Sequence, residues 1–309
     1  MAFLAEIKNH IQSTKNTQKI TQAMQLVAAN KMKVFQKKAV NARRYAWSLL
    51  EGLALCHQSI ETLPYAEKRE KGETVFVFIT SDKGLCGSLN VRMFEKIFTS
   101  EKWLNTPEPE RLLITIGRKG FETAQRRGIK VEKHYPEINE QLDQLTALTI
   151  VNDIIEYWNS RKVKEIVLIS THYVNPFVTT PNMKTYLPFS PGMIRDHLQW
   201  KESSASSAQS EARLKDDLII YEPSIERTTD VLSRQLIHML FLQAFNEFKA
   251  SEYSSRMVAM KKATESADEL IHSLTLQYHK SRQGAITQQL CELAAGSEAI
   301  EMEDLALEF

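Results

Sequence analysis

The stretch "ITQAMQLVAANKMKVFQKKAVNARRYAW" (Ile20–Trp47) contains no glycine, no proline and no acidic residue. It lies within a longer uninterrupted segment, because the first glycine of the chain is Gly52 and the first proline is Pro64. The sequence therefore predicts one helix from about Phe3 to Cys56, roughly 80 Å long at ~1.5 Å per residue. Since that length exceeds the diameter of a domain of this size, we expect the helix to project from the rest of the protein.

A seam of residues follows this helix with alternating spacings of four and three, as a coiled coil requires. The seam is apolar at both ends and small or polar in the middle, and it consists of Ile7, Ile11, Thr14, Gln18, Thr21, Gln25, Ala28, Met32, Phe35, Ala39, Ala42, Ala46, Leu49 and Leu53. A single long amphipathic helix is only marginally stable alone, so this one needs a partner.

The partner is predicted near the other end of the chain, where sixty residues between Pro223 and Gly284 lack glycine and proline. This segment has its own interrupted seam, made of Met257, Met260, Thr264, Ala267, Ile271, Leu274, Tyr278, Ser281 and Ala285. Large residues on one helix can sit over Ala and Thr on the other, which allows close approach. A compact domain between the two helices favours an antiparallel pair.

The middle of the chain changes period. Short apolar runs rich in β-branched residues are typical of buried parallel strands, and they occur at Thr74–Thr80, Arg111–Gly117 and Glu165–Thr171. Helical patterns separate them at Leu89–Ser100, Lys119–Arg127 and Leu142–Asn159. Strand and helix alternation predicts an α/β domain. Two further strands, Met183–Phe189 and Asp217–Pro223, are expected to form a hairpin at one edge.

The predicted fold class is therefore α/β, with a long antiparallel coiled coil of the N- and C-terminal helices and a central Rossmann-like α/β domain. We place the domain boundaries at 1–58 for the first helix, 73–222 for the central domain, 223–295 for the second helix and 296–309 for an acidic tail. Within the central domain, a polar segment rich in Ser and Ala at Lys201–Lys215 predicts a mobile loop over 190–217.

Composition restricts the class of protein further. The chain of 309 residues has a hydrophobic fraction of 43% and a charged fraction of 25%, which are globular values. Its three cysteines (Cys56, Cys86 and Cys291) form no zinc or disulfide pattern, which favours a reducing compartment. The best apolar run, Leu236–Phe245, is half of the ~20 residues that a membrane crossing requires. We expect a cytosolic or peripheral protein.

One motif, "ITSDKGLCGSLN" (Ile79–Asn90), follows a strand and precedes a helix, where α/β folds bind phosphate. It matches neither the dinucleotide-binding glycine pattern nor the Walker loop, so we interpret it as a structural turn. Cys86 has no neighbouring histidine to act as a base, so we expect a buried small side chain and no nucleophile. The eight histidines show no metal-ligand spacing. We expect no catalytic residues, cofactor or metal.

The basic first helix has an alternative interpretation. Residues 1–51 carry nine Lys or Arg and only two acids, so the helix could bind nucleic acid as part of a coiled-coil adaptor with an α/β head. These basic residues spread around the helix, and few aromatic residues lie among them. A solvated helix face and contact with an acidic protein surface are the other interpretations.

Three stretches resemble the gamma subunits of rotary F-type ATP synthases. They are "IKNHIQSTKNTQKITQAMQLVAANKM" near the start, "ITSDKGLCGSLN" in the middle, and "SEYSSRMVAMKKATESADELIHSLTLQYHKSRQGAITQQLCEL" near the end. They occur in the family's order and cover both long helices and the first strand–turn unit. The terminal stretches are highly specific.

The resemblance implies a rotor and no independent enzyme. In that family the two terminal helices wind into an antiparallel coiled coil inside a hexamer of α and β subunits. The α/β domain contacts the epsilon subunit and the membrane c-ring at the foot. Ion flow turns the shaft, which drives ATP synthesis or hydrolysis in the hexamer. We therefore expect a peripheral location on the cytoplasmic face of the cell membrane, with no nucleotide or nucleic acid bound by this chain.

The resemblance also implies particular contact residues. Met24 and Arg256 match positions associated with the lever of the β subunit, and Cys86 matches the turn near the β collar. A polar cluster that engages the β subunits is matched by Arg282, Gln283 and Thr287. At the foot, Tyr221 and Glu222 match a segment that faces the ring and epsilon.

Several features depart from the family pattern. Ser88 stands where the family usually has glycine, so a different backbone conformation is expected there. The loop at Lys201–Lys215 is longer than in bacterial members, and it contains no cysteine pair for a dithiol switch. The tail after Gly296 carries five acids, whose desolvation in an apolar sleeve would be costly. We expect the tail to emerge beyond the sleeve or to be disordered.

Overall fold

The computed structural model describes residues 2–56, 65–138, 144–160, 163–175, 177–189 and 220–307, with the backbone alone for 297–307. The chain divides into two compact units. The first unit is formed by residues 1–27 and 258–309, and the second by residues 28–257.

Two long helices contribute to both units, α1 (Ala2–Leu55) and α6 (Ile225–Leu307). The remaining elements belong to the second unit. In chain order they are β1 (Glu73–Ile79), α2 (Leu89–Phe98), α3 (Glu101–Asn105), a 3-10 turn (Glu108–Glu110), β2 (Arg111–Ile116), α4 (Arg118–Arg126), β3 (Val131–Tyr135), α5 (Gln144–Ser160), β4 (Val163–Asn175) and β5 (Val178–Leu187). No helix in the described ranges is long and apolar enough to cross a membrane.

In the first unit, α1 and α6 pack against each other in antiparallel directions. Gln18 Nε2 donates to Asp268 Oδ1 at 2.9 Å, and the hydroxyls of Thr21 and Thr264 lie 2.8 Å apart. The partner on α6 therefore moves toward lower numbers as the residue on α1 moves toward higher ones. The predicted seams form this interface, since their buried members here are Ile7, Thr14, Met260, Ala267 and Leu274. Small and polar residues keep the two helices close.

In the second unit, five strands form one sheet in the order β3-β2-β1-β4-β5. The first four strands are mutually parallel, and β5 pairs with β4 in the antiparallel direction. β1 lies at the centre, and its run from Val75 to Ile79 is buried. This explains its nearly continuous apolar sequence, because a central parallel strand is covered on both faces.

The same unit contains the second half of the helix pair. Seam residues Ala46, Leu49 and Leu53 of α1 join the buried core of the sheet, together with apolar residues of α6 from Leu236 to Phe248. A smaller cluster contains Ala28, Met32, Phe35, Ala250 and Tyr253. Within it the rings of Phe35 and Tyr253 stack with centroids 5.6 Å apart. The predicted fold class, a coiled coil of terminal helices with an α/β domain, is thus confirmed. The first unit contains the helix pair, and the second contains the helix pair together with the sheet.

One strand prediction differs from the structure, and one strand was missed. The expected edge hairpin between Met183–Phe189 and Asp217–Pro223 is not found: β5 pairs with β4, residues 220–223 form no strand, and residues 217–219 lie outside the described part of the chain. A hairpin with the neighbouring β4 needs only a tight turn, which makes it the simpler pairing. β3 was not predicted, because its sequence "VEKHY" carries charges that suit an edge strand and interrupt the apolar pattern.

The last helix is longer than expected. α6 continues through Gly296 to Leu307, whereas the sequence placed its end near residue 295. The acidic tail contains no proline and is rich in Ala, Glu, Leu and Met, which are strong helix formers, and one glycine costs only about 1 kcal/mol. The predicted mobile loop over 190–217 lies outside the described residues.

Candidate functional site

A turn at the carboxyl end of β1 begins the site, and Thr80 fixes its position. The Thr80 hydroxyl donates to the Ile116 carbonyl at 3.0 Å and accepts from the Gly120 N–H at 2.9 Å. Gly117 lies against the same residue with φ of +94°, and a Cβ there would lie 2.1 Å from the Thr80 carbonyl oxygen. Only glycine fits at this position. Because Gly117 has no side chain, the end of β2 can pack directly against the end of β1.

Cys86 lies inside the turn, buried as the sequence predicted. Its Sγ is 3.8 Å from the Ser81 hydroxyl and accepts from Asn90 Nδ2 at 3.4 Å. Burial raises the pKa of the Cys86 thiol, so the thiol stays protonated at neutral pH. A buried, protonated thiol is a poor nucleophile. The structure therefore favours a packing role for Cys86 over catalysis.

The departure at Ser88 has a structural explanation. Ser88 has a φ of −88°, which any residue adopts, so glycine is not required there. Its side chain makes no capping hydrogen bond to α2. The left-handed positions of the turn are instead Leu85 and Gly87, with φ of 62° and 59°. The unusual feature of this turn is Leu85, whose backbone is left-handed and whose side chain is exposed.

A cleft of about 400 Å³ opens beside the turn. Asp82 organises one wall, since its Oδ1 accepts from the backbone N–H of Arg118 at 3.0 Å and of Glu137 at 3.1 Å. The side chains of Arg118 and Glu137 form an ion pair across the same wall. These residues follow β1, β2 and β3, so three neighbouring parallel strands point their carboxyl ends at the cleft.

The other wall of the cleft belongs to α6. Arg256 Nη2 donates to Glu252 Oε1 at 2.8 Å and to the carbonyls of Lys83 and Gly84 at 3.4 and 3.2 Å. Lys249 Nζ lies 3.0 Å from the other oxygen of Glu252. Arg256 thus ties α6 to the turn that holds Cys86. The structure therefore places Arg256 beside the turn that contains Cys86, although the family resemblance implied the two contact positions independently.

The remaining residues expected on the helices lie in the first unit. Met24 is half-buried on α1. On α6, Arg282, Gln283 and Thr287 are all exposed, and the Thr287 hydroxyl donates to the Gln283 carbonyl at 3.0 Å. Exposed polar groups on one stretch of helix are available to a partner.

The two foot residues differ in their surroundings. The Tyr221 hydroxyl donates to the Leu55 carbonyl at 3.0 Å, which satisfies a carbonyl of the last turn of α1. Glu222 is exposed. Tyr221 therefore has a structural role within the second unit, while Glu222 is open to solvent.

Sequence reasoning missed one charged cluster, centred on buried Glu247. Its carboxylate accepts from His172 Nδ1 at 2.9 Å and from Gln243 Nε2 at 3.0 Å, and it pairs with Arg43. Burial by itself raises the pKa of Glu247, but the hydrogen bonds from His172 and Arg43 outweigh it, so the pKa lies below its ordinary value. The cluster connects α1, β4 and α6. No local spacing predicts it, because its members are far apart in the chain.

Comparisons with known proteins agree with this architecture. The family model described as ATP synthase matches residues 3–300. The ATP synthase gamma chain of Halothermothrix orenii is 35% identical over 303 residues, which are 97% of this chain and 100% of the relative. The gamma chain of Geotalea uraniireducens is 33% identical over 302 residues, with 97% and 99% coverage.

Solved structures share the fold. A chain in the structure of the Euglena gracilis mitochondrial ATP synthase (OSCP/F1/c-ring, rotational state 3) has a TM-score of 0.64 at 15% identity, covering 97% of this chain and 95% of that one. A chain from the Tetrahymena thermophila mitochondrial enzyme (central stalk/c-ring) has a TM-score of 0.55 at 23% identity, with 79% and 99% coverage. The sequence matches over nearly the full length establish that this chain belongs to the ATP synthase gamma chain family.

Proposed function

We propose that this chain is the central-stalk rotor subunit of a membrane-bound F-type ATP synthase. It couples ion flow through the membrane ring to ATP synthesis or hydrolysis in the hexamer of α and β subunits. Family membership supports this function, and the antiparallel pairing of α1 and α6 is the structural observation that carries it.

The chemistry of the helix pair suits a rotating shaft. Apolar contact with a housing would hold the shaft in place, at roughly 25 cal/mol per Å² of apolar surface buried. The seam residues in the middle of α1 are small or polar, so the pair stays thin. The basic residues of α1 can meet acidic loops of β subunits through exposed ion pairs of about 0–1 kcal/mol each. Such contacts are easily made and broken during rotation.

The contact residues follow from the family resemblance and from exposure. Exposed Arg282, Gln283 and Thr287 are proposed to engage the β subunits, as are the turn around Cys86 and the neighbouring Arg256. Met24 is proposed to lie near the same lever. Glu222, next to Tyr221, is proposed to face the epsilon subunit and the c-ring. The chain itself is proposed to be non-catalytic and peripheral, on the cytoplasmic face of the cell membrane.

The nucleic-acid adaptor is not favoured. Membership of the gamma chain family accounts for nearly the full length of the chain, including the basic helix. A DNA shift assay at physiological salt is expected to show no tight binding, and tight binding there would reopen the adaptor hypothesis.

Reconstitution tests the rotor function. The purified chain is expected to show no ATPase activity alone, and to restore rapid hydrolysis when mixed with α and β subunits. Arg282→Ala is expected to lower that restored activity, because it removes a proposed contact. Lys280→Ala, on an exposed position of the same helix, serves as the matched control. Failure of the tagged chain to co-purify with α, β and epsilon subunits would contradict the proposal.

A further inference from the structure

The cleft beside the β1 turn contains more buried positive charge than a structural ion pair needs. Lys249 and Arg256 share a single carboxylate, one on each oxygen of Glu252. The three side chains are 5%, 10% and 4% exposed, so water does little to screen the excess cation. A buried unpaired charge is costly, and a second anion would relieve that cost.

The other acidic groups of the cleft do not supply this counter-charge. Asp82 is held by two backbone N–H groups, and Glu137 is paired with Arg118. The lining contains four basic and three acidic side chains in all. The lining as a whole therefore carries a net charge of +1. On the α6 wall, two buried cations face the single carboxylate of Glu252.

Hydrogen-bond donors remain available on that wall. In the described part of the chain, the hydrogen bonds of the Arg256 guanidinium come from Nη2, and Lys249 Nζ donates to Glu252. Both cations also lie against aromatic rings, Lys249 over Phe245 and Phe248 and Arg256 over Tyr253, contacts that use no N–H donor in the plane of a hydrogen bond. Arginine and lysine donors together are well suited to a phosphate group, which has several acceptor oxygens and carries up to two negative charges. The volume of about 400 Å³ lies within the range of small-ligand sites.

The position of the cleft in the fold supports a ligand independently. In open α/β sheets, ligands bind outside the carboxyl ends of parallel strands, and β1, β2 and β3 all end at this cleft. The backbone N–H groups of the first turn of α4 are already used, by Asp82 for Arg118 and by the Ser81 carbonyl for Lys119. A ligand in this cleft would therefore be held by side chains and not by the N-terminus of α4.

We propose that this cleft binds the phosphate group of a small anion, either inorganic phosphate or a nucleotide, through Lys249 and Arg256. The proposal goes beyond the rotor function and does not rest on it, because the whole site lies within residues 28–257 of this one chain. Arg256 also donates to the β1 turn, so an occupied site would stiffen the contact between that turn and α6.

Calorimetry of the full-length chain tests the proposal, with sodium phosphate as the probe and sodium chloride at equal ionic strength as the reference. Saturable binding of phosphate is expected. Lys249→Met should weaken it about tenfold or more, because a charged hydrogen bond is lost. Lys261→Met, on an exposed lysine of the same helix, removes the same charge and should leave binding unchanged.

A second variant has an effect of opposite sign, which guards against loss of binding through misfolding. Glu252→Gln removes the carboxylate that competes for both cations, so phosphate should bind more tightly and raise the melting temperature more than in the wild type. Circular dichroism verifies that each variant is folded. A parallel titration with ADP distinguishes the sources: binding tighter than phosphate and lost in Lys249→Met indicates a nucleotide, and weaker binding indicates free phosphate.

Three results would overturn the proposal. The first is the absence of saturable heat from both anions up to about 10 mM, a concentration that reveals dissociation constants near 1 mM. The second is equal phosphate binding by the wild type and Lys249→Met. The third is equal weakening by Lys261→Met, which would indicate general charge attraction.

Discussion

At the scale of single residues, the turn after β1 depends on Gly117. Its positive φ and its approach to the Thr80 carbonyl leave no space for a side chain. The sequence contains this glycine in "RLLITIGRKG" (Arg111–Gly120), but its role depends on a partner 37 residues away. Local turn rules predict that glycine is tolerated there, and the tertiary contact makes it necessary.

Gly117→Ala is expected to destabilise the protein by about 3 kcal/mol, because it adds both backbone strain and a clash. Gly84→Ala is the matched control, since a Cβ there meets nothing within 4 Å. The control should change stability by no more than about 0.5 kcal/mol. Denaturant unfolding followed by fluorescence measures both, and equal stabilities of the two variants would contradict the structural assignment.

Glu247 predicts a pH dependence of stability. Its folded-state pKa lies below the ordinary value of 4.5, so its charge stabilises the folded state above that value. The stabilisation is lost as the pH falls below 4.5 through the folded-state pKa. Wild-type stability should therefore exceed that of Glu247→Gln at neutral pH, and the two should converge in acid.

The measurement is urea unfolding of both proteins from pH 7 to pH 3. Glu67→Gln is the control, because Glu67 is 60% exposed and its ion pair with Arg69 is screened by solvent. Its stability curve should run parallel to that of the wild type. A Glu247→Gln curve that stays at a constant distance from the wild type would show that the carboxylate has no shifted pKa.

At the scale of elements, the helix pair in the first unit depends on small residues. Ala267 is buried on α6 between the half-buried or buried positions Thr264 and Leu274 of the same seam. Periodicity predicted all of these positions, because a pattern of 3.5 residues needs only local sequence to detect. The partner residues across the interface followed only from the register in the structure.

Ala267→Leu is expected to destabilise the first unit by about 1–3 kcal/mol, since overpacking forces the helices apart. Ser266→Leu adds the same side chain one residue earlier, on an exposed position, and should have an effect of less than about 0.5 kcal/mol. Thermal melting by far-UV circular dichroism detects the difference. A larger loss in Ser266→Leu would place the interface on the wrong face of α6.

At the scale of the whole molecule, the antiparallel pairing places a helix from near the start of the chain beside a helix from near its end. Thr21 and Thr264 have their hydroxyls 2.8 Å apart, so cysteines at these positions should form a disulfide. The exposed Cys291 is replaced by serine in this experiment to avoid a competing thiol. Thr21→Cys combined with Thr275→Cys, eleven residues further along α6, should not cross-link.

In the proposed rotor, the cross-linked chain should support ATP hydrolysis with α and β subunits as well as the reduced chain does. Both helices belong to the rotating part, so a bond between them opposes no motion. Mass spectrometry quantifies the disulfide, and a coupled assay follows hydrolysis. Loss of activity on oxidation, restored by reduction, would show that the helices slide or separate during turnover.

The sequence by itself determined the two long helices, the seams that join them, the buried strands β1, β2 and β4, and the family resemblance. These features are local, because hydrophobic period and the absence of glycine and proline act within a few residues. The tertiary structure alone decided the pairing of β5 with β4, the Glu247 cluster and the meeting of Lys249, Glu252 and Arg256 with the β1 turn. The hairpin of β4 and β5 is local, but its choice over other pairings depends on the whole sheet. The contacts of Glu247 with Arg43 and His172, and of Arg256 with the β1 turn, join residues far apart in the chain, which crossover connections and strand order bring together.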